Sequence, residues 1–367
     1  MSTLAIFRTT AAGTGLTRRG FIGSAIGAPA LIGGTDKSGS RRPIMGAGEH
    51  TYEAIHDWGE TPARISYGNT HGVAQDSHGR VYIAHTVHAN SKSHDTLVVF
   101  DEQGRFIRSW GSEFEGGAHG LHIQKEGSEE FLYLVDTGKG RSPNVDPAHT
   151  WMVKMTLKGK EVFRIGYPRE SSLYQLDKEG KPLTKFSPTN IATAPNGDIY
   201  LADGYGSNTI SQYDAKGRYI RTFGGTGREA GQLAKPHGLI VDTRGAEPVL
   251  LVADRSNNRL QTFSLDGRHI SFGGGVNRPC HFAERNGILL IPDLAARVTL
   301  MDRQNKVIAH LGEDTSGTWE ELRKQSRDRF IPGKFVSPHG ACFDHDGNIF
   351  VVEWVEVGRV TKLRKVA

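Results

Sequence analysis

The sequence predicts an all-β fold, a six-bladed β-propeller closed by an N-terminal strand that completes the last blade. Three observations predict it. A short phrase recurs at Ala118-His119-Gly120-Leu121, Pro236-His237-Gly238-Leu239 and Pro338-His339-Gly340-Ala341, echoed at Thr70-His71-Gly72-Val73. Each copy heads an apolar run, a glycine turn and a second run, and repetition of this kind marks an array of one supersecondary unit. An aromatic or aliphatic residue followed by glycine ends each fourth strand, at Trp110-Gly111, Ile165-Gly166, Phe223-Gly224, Phe272-Gly273 and Leu311-Gly312. A further copy, Trp58-Gly59, precedes the first unit, whereas the last unit stops after a third strand at Val360 to Leu363. Tyr52 to Trp58 is therefore expected to supply the missing outer strand and leave no open seam in the ring.

The elements follow in chain order. Residues 1–34 read as a twin-arginine export signal: Thr17-Arg18-Arg19-Gly20-Phe21-Ile22, a weakly apolar stretch, and the small-residue site Ala28-Pro29-Ala30. That stretch is too short and glycine-rich for a stable membrane span, so a periplasmic or extracellular protein is expected. Residues 35–50, rich in Gly, Ser, Arg and Pro, read as a disordered linker, and 51–367 as the propeller. Three of the 45 basic residues fall in the first thirty positions, which carry no acid; the remainder has 42 basic against 40 acidic residues, a balance of +2. With no run of basic residues and no aromatic-basic interleaving, nucleic-acid binding is not expected. Cys280 and Cys342 are the two cysteines and make no disulfide framework, so the core must supply the stability.

Units start near His71, His119, Thr189, His237, Cys280 and His339. Unit three displays the plan: Asn190 to Thr193, the turn Asn196-Gly197, Ile199 to Ala202 ending in Asp203, Thr209 to Tyr213, Lys216-Gly217, and Tyr219 to Phe223 before Gly224. Four short strands with polar turns make one blade. Unit five admits two alignments, one placing Cys280 in the ring and the other His281. Insertions at 137–150, 167–185 and 313–334 are expected as loops on a face the sequence does not specify.

Innermost strands of a propeller line its channel, so the phrase histidines should gather at one mouth. Units two, four and six alternate around the ring, which sets His119, His237 and His339 at threefold spacing. Three imidazoles with an open fourth position are the arrangement of a catalytic zinc or similar divalent metal. A single histidine in such a strand would be a packing residue; three or more equivalent ones in one ring point to a metal. Tyr205 and Arg255 lie in the loops after the second strands of blades three and four. There a phenol can act as base and a guanidinium can pair a carboxylate through two hydrogen bonds. As alternatives, Tyr205 is a rim turn residue and Arg255 a salt-bridge partner. His71, His85, Thr189, Cys280 and His281 are additional candidates for the channel, and His88 and His94 read as solvated loop histidines.

The pattern of Ala253-Asp254-Arg255-Ser256-Asn257-Asn258-Arg259-Leu260-Gln261-Thr262-Phe263 resembles the NHL repeat family, over nearly the whole chain after the signal. Ala118-His119-Gly120-Leu121, Asp203-Gly204-Tyr205 with Ser207-Asn208, Lys235-Pro236-His237, Ala253-Asp254-Arg255 and Ser337-Pro338-His339 together resemble the peptidyl-α-hydroxyglycine α-amidating lyases. The resemblance implies zinc on His119, His237 and His339, Tyr205 as base, Arg255 orienting the substrate, and cleavage of a carbinolamide to an amide and glyoxylate. It also implies structural calcium on the backbone carbonyls of Val73 and Leu121. The chain departs from that family in three places. Thr86 follows Ile83-Ala84-His85 where the family has a second arginine, Gly340 stands where it has a calcium-binding acid, and its disulfide cysteines are absent, with Gly206 at one of their positions. The expected protein is thus an exported, monomeric, zinc-dependent lyase acting on a small or peptide-derived substrate at the channel mouth. The alternative is a non-catalytic propeller binding a partner or carbohydrate through its rim loops. A calcium-dependent lactonase-like site is disfavoured, because such sites use carboxylates and this ring presents imidazoles.

Overall fold

Alternating burial along short strands builds the ring. In a computed structural model, residues 32–35, 41–138 and 150–366 are described; the Arg18-Arg19 pair, the Ala28-Pro29-Ala30 site and most of the 137–150 insertion lie outside them. Six antiparallel sheets follow one another along the described chain, each built from strands consecutive in sequence, with one exception. Blade one comprises Thr70–Gln75, Val81–His85, Leu97–Phe100 and Phe106–Trp110, innermost first. Successive residues of Val81–His85 point to opposite faces. Tyr82 and Ala84 pack with Leu121, Leu132 and Leu134 of blade two, while Val81 and Ile83 pack with Phe350 and Val352 of blade six. Every pair of neighbouring blades shares such a cluster, so the core is six wedges between sheets rather than one central mass.

The exception is the closing blade. Pro338–Phe343, Ile349–Glu353 and Arg359–Lys365 are its first three strands, and His50–His56 pairs antiparallel with the third, Thr361 opposite His56 and Lys365 opposite Tyr52. Trp58 then donates its backbone N–H to Val360 and stacks edge-on against Phe100 and Phe350, bridging blades one and six. The expected closure is found. Part of the expected linker, however, is ordered as a strand: Arg41–Ala47 pairs with His50–His56, and Ile32–Thr35 pairs with it in turn. Met45 is 2% exposed and joins Leu311, Leu300 and Leu363 in the core. That burial, together with the ladder bonds to blade six, offsets the entropy of ordering a polar segment.

Second strands end in a buried acid at Asp136, Asp203, Asp254, Asp293 and Glu353. Asp254 shows why: it accepts from Ala234 N–H, Arg259 Nε, Asn257 and Gln261 at 2.7–2.9 Å, tying the loop to its blade. A carboxylate so fully hydrogen-bonded tolerates burial that it could not tolerate alone. Blade one differs, with His85 at that position. The 313–334 insertion carries a short helix, Trp319–Arg323, whose start is fixed by a reciprocal capping pair between Thr318 and Glu321.

Candidate metal centre at the channel mouth

Crowding of the inner strands at the axis explains the glycine of the repeated phrase. A Cβ at Gly120 would meet the Thr189 carbonyl oxygen at 2.7 Å, one at Gly238 the Cys280 oxygen at 2.8 Å, and one at Gly340 the His71 oxygen at 2.6 Å. Those three oxygens accept hydrogen bonds from Nδ1 of His119, His237 and His339, at 2.7, 2.7 and 2.9 Å respectively. A carbonyl only accepts, so each Nδ1 carries the proton and each Nε2 presents a lone pair. Breaks in the strand register between Ala118 and Leu121, Pro236 and Leu239, and Pro338 and Gly340 turn the histidines out of the ladder, as bulges do. His-Gly is therefore one device. The histidine provides the donor, and the glycine admits the neighbouring blade's carbonyl that orients it.

The three rings stand 4.7–4.9 Å apart, centroid to centroid. His71 joins them from blade one, 4.6 Å from both His119 and His339. The Tyr205 hydroxyl lies 3.2 Å from His119 Nε2 and 3.0 Å from His237 Nε2. Arg255 Nη1 lies 3.4 Å from that hydroxyl and 3.9 Å from Cys280 Sγ. Arg255 is 6% exposed, and its Nε has no hydrogen-bond partner among the described residues. Potential ligand atoms fall into two overlapping groups, His71/His119/His339 and His237/Cys280/His339, each within 4.8 Å. The expected trio is thus divided, His119 falling in one group, His237 in the other and His339 in both, with the Tyr205 hydroxyl between His119 and His237. Buried, neutral imidazoles with fixed tautomers suit a divalent transition metal.

Burial pushes His71, His237 and His339 well below the usual imidazole range, and neighbouring imidazoles and Arg255 push the same way. They are neutral near pH 7, as ligation requires. Burial also raises the Cys280 thiol to about 11 and raises the Tyr205 phenol, against the lowering effect of Arg255 on both.

A cavity of about 450 Å³ opens above this tier, lined by His71, His119, Tyr205, Arg255, Thr86, Lys235, Arg278, Trp319 and Trp354 among others, with no carboxylate among the described lining residues. The 313–334 insertion therefore covers the histidine mouth, contributing Trp319. The remaining expected residues separate by position. Thr189 lies in the ring, but its hydroxyl donates to the Pro236 and Ala202 carbonyls, and its own carbonyl is what serves the site. Cys280 occupies the ring position of blade five, where Pro279 bridges Asp293. His281 instead lines a cavity of about 390 Å³ toward the other end of the channel, with Val73 and Leu121, and hydrogen-bonds Asn190. His85 is not a channel residue: fully buried at the blade-one acid position, it packs edge-on against Tyr67 and accepts from Val87 N–H. His94 is a surface residue beside Glu115. Lys235, Arg278 and the two tryptophans were not predicted, since their approach depends on loops with no repeat pattern.

Comparison with known proteins finds relatives in sequence and in fold. The chain is 28% identical over 172 residues to a probable peptidyl-α-hydroxyglycine α-amidating lyase of Caenorhabditis elegans, covering 46% of this chain and 43% of that protein. It is 27% identical over 336 residues to the mouse peptidyl-glycine α-amidating monooxygenase, covering 85% of this chain and 32% of that one. Mouse NHL repeat-containing protein 3 matches at 27% over 205 residues, 54% of this chain and 53% of that protein. The homologues are peptidylglycine α-amidating enzymes and NHL-repeat proteins. Each of these matches spans little more than half, or less, of the relative's length. Among solved structures, virginiamycin B lyase of Staphylococcus aureus superposes with a TM-score of 0.53 at 14% identity, covering 86% of this chain and 100% of that one. A gluconolactonase of Xanthomonas campestris gives 0.56 at 11% identity, covering 93% and 95%. At such identities the likeness is one of fold. No protein-family model matches the chain.

Proposed function

We propose that this protein is a metal-dependent carbon–nitrogen lyase that cleaves a carboxylate-bearing carbinolamide, R–CO–NH–CH(OH)–COO⁻, into the amide and glyoxylate. The observation that carries the reading is the convergence of His119, His237 and His339, each oriented by a neighbouring blade's carbonyl, beside Tyr205 and the buried Arg255. The α-amidating relatives support the same chemistry.

His119, His237 and His339 would hold zinc or a similar divalent metal, which when bound would supply Lewis-acid stabilisation of negative charge on the substrate's hydroxyl oxygen. Arg255 pairs the substrate carboxylate; no carboxylate stands among the described residues lining the cavity, and the guanidinium Nε has no partner among them. Tyr205, in its deprotonated form, takes the hydroxyl proton at Oη. As the C–O electron pair forms the aldehyde carbonyl, the C–N bond breaks toward nitrogen, and the same proton passes from Tyr205 to the leaving amide. Burial raises this phenol; the guanidinium 3.4 Å from Oη, together with a cation on the adjoining imidazoles, would offset that and favour the phenolate. Trp319, Trp354, Arg278 and Lys235 surround the room left for the acyl portion R. In this reading the protein is a monomer that works after twin-arginine export, with the Arg18-Arg19 region as its signal.

The test is glyoxylate release from an N-acyl-α-hydroxyglycine. Tyr205→Phe should keep metal and melting temperature while losing turnover by roughly 100-fold or more, the range for removal of a general base. Arg255→Ala should raise KM for the free acid far more than for its methyl ester. Equal turnover in Tyr205→Phe rejects the assigned base.

A further inference from the structure

We infer that His71 is a fourth imidazole ligand of the metal centre, so that the ion is held by histidines from blades one, two, four and six. The inference rests on the metal-binding reading above and extends it; with four imidazoles bound, the ion must accept a fifth ligand for the substrate hydroxyl to reach it, an expansion open to zinc and to similar divalent transition metals. His71 stands at the start of blade one's inner strand, where the register breaks between Thr70 and Gly72 as it does at the other phrase histidines. Its Nδ1 lies 3.5 Å from His339 Nε2. Two nitrogens each bound at 2.0–2.1 Å to one tetrahedral ion lie roughly 3.3 Å apart, so this pair already has nearly the separation that sharing an ion demands. Its potential ligand atom also falls within 4.8 Å of those of His119 and His339, and the three form the all-imidazole group.

The other group, His237/Cys280/His339, shares only His339 with the first and brings in Cys280. Cys280 Sγ, however, is directed to the Arg278 carbonyl at 3.6 Å and lies 3.9 Å from the Arg255 guanidinium. A softer ligand set of that kind would draw the ion away from His119, toward the Arg255 side. The anchoring of the rings also differs. His119, His237 and His339 are each fixed by a backbone carbonyl, whereas the hydrogen bond of His71 is to His339 itself. His71 is thus the one member of the tier whose ring can adjust to the ion without breaking a bond to the backbone.

The experiment loads the metal-free full-length protein with cobalt(II). X-ray absorption counts the imidazoles, and competition with a chelator gives the affinity, for wild type, His71→Ala, His71→Asn and Cys280→Ser. The expected result is four imidazoles in wild type, three in both His71 variants with cobalt bound roughly tenfold or more weaker, and no change in Cys280→Ser. His71→Asn keeps a polar side chain of similar width, and its melting temperature checks that the fold persists should the alanine variant fail. Three imidazoles in wild type and variants alike, with equal affinity, would overturn the inference while leaving the three-histidine reading intact. A thiolate-to-cobalt charge-transfer band lost in Cys280→Ser would overturn it in favour of the other group. Absence of cobalt binding by folded wild type would overturn both.

Discussion

At His119, His237 and His339 the orienting atom is Nδ1, and its partner is a backbone oxygen of the next ring position. Such outer contacts are commonly worth 10–100-fold in metal affinity. Gly238→Ala tests this without touching a ligand: the new Cβ falls 2.7 Å from His281 Cα and 2.8 Å from the Cys280 oxygen that holds His237. Metal affinity should fall by roughly tenfold or more, and calorimetry against the wild type measures it; an unchanged affinity would show that the carbonyl is not the orienting group. His85 makes a prediction of a different kind. Its imidazole is held near 3 by burial, against an ordinary value of 6.5. Because the folded value is the lower one, its contribution is complete above pH 6.5 and is lost as pH falls toward 3. At pH 4.5 the cost is roughly 2–3 kcal/mol. His85→Asn should flatten the fall in melting temperature between pH 6.5 and 4.5, and parallel curves would contradict this. The phrase histidines were legible from repetition alone, but their carbonyl partners belong to other blades and no local spacing records them. The position of His85 was legible in principle, since the other five second strands end in an acid and this one ends in histidine.

Among the elements, the closing strand was legible because its absence at one end of the chain matches a surplus at the other. Arg41–Ala47 was not: Arg41, Arg42 and Pro43 read as linker, and Ile44-Met45 is too short an apolar run to show a period of two. The two outer strands carry unequal loads. His50–His56 supplies the ladder to Arg359–Lys365 along with Tyr52 and Ala54 of the core. Removal of residues 1–49 should therefore lower the melting temperature by only a few degrees, the cost of about 2–3 kcal/mol for unburying Met45 and losing outer pairs. Removal through residue 58 should abolish the single cooperative transition, because it opens the seam between blades six and one that Trp58 bridges. Thermal denaturation of the two truncations measures both, and equal melting temperatures would reject the closure account.

Over the whole molecule, the ring brings together side chains as far apart in sequence as His71 and His339, and the 313–334 insertion roofs their mouth with Trp319. The arrangement of blades followed from the repeats; the roof did not, because an insertion has no counterpart elsewhere in the chain. The mouth combines cations with indoles and has no carboxylate among its described lining residues, so anions should be favoured over neutral analogues, with a preference that weakens as salt rises. The most direct measurement of the account is glyoxylate release from an N-acyl-α-hydroxyglycine by metal-free protein titrated with zinc. Glyoxylate and amide should form in equal amounts, at a rate rising linearly to one zinc per chain and lost in His237→Ala. Stoichiometric zinc binding without glyoxylate above the uncatalysed rate would contradict it.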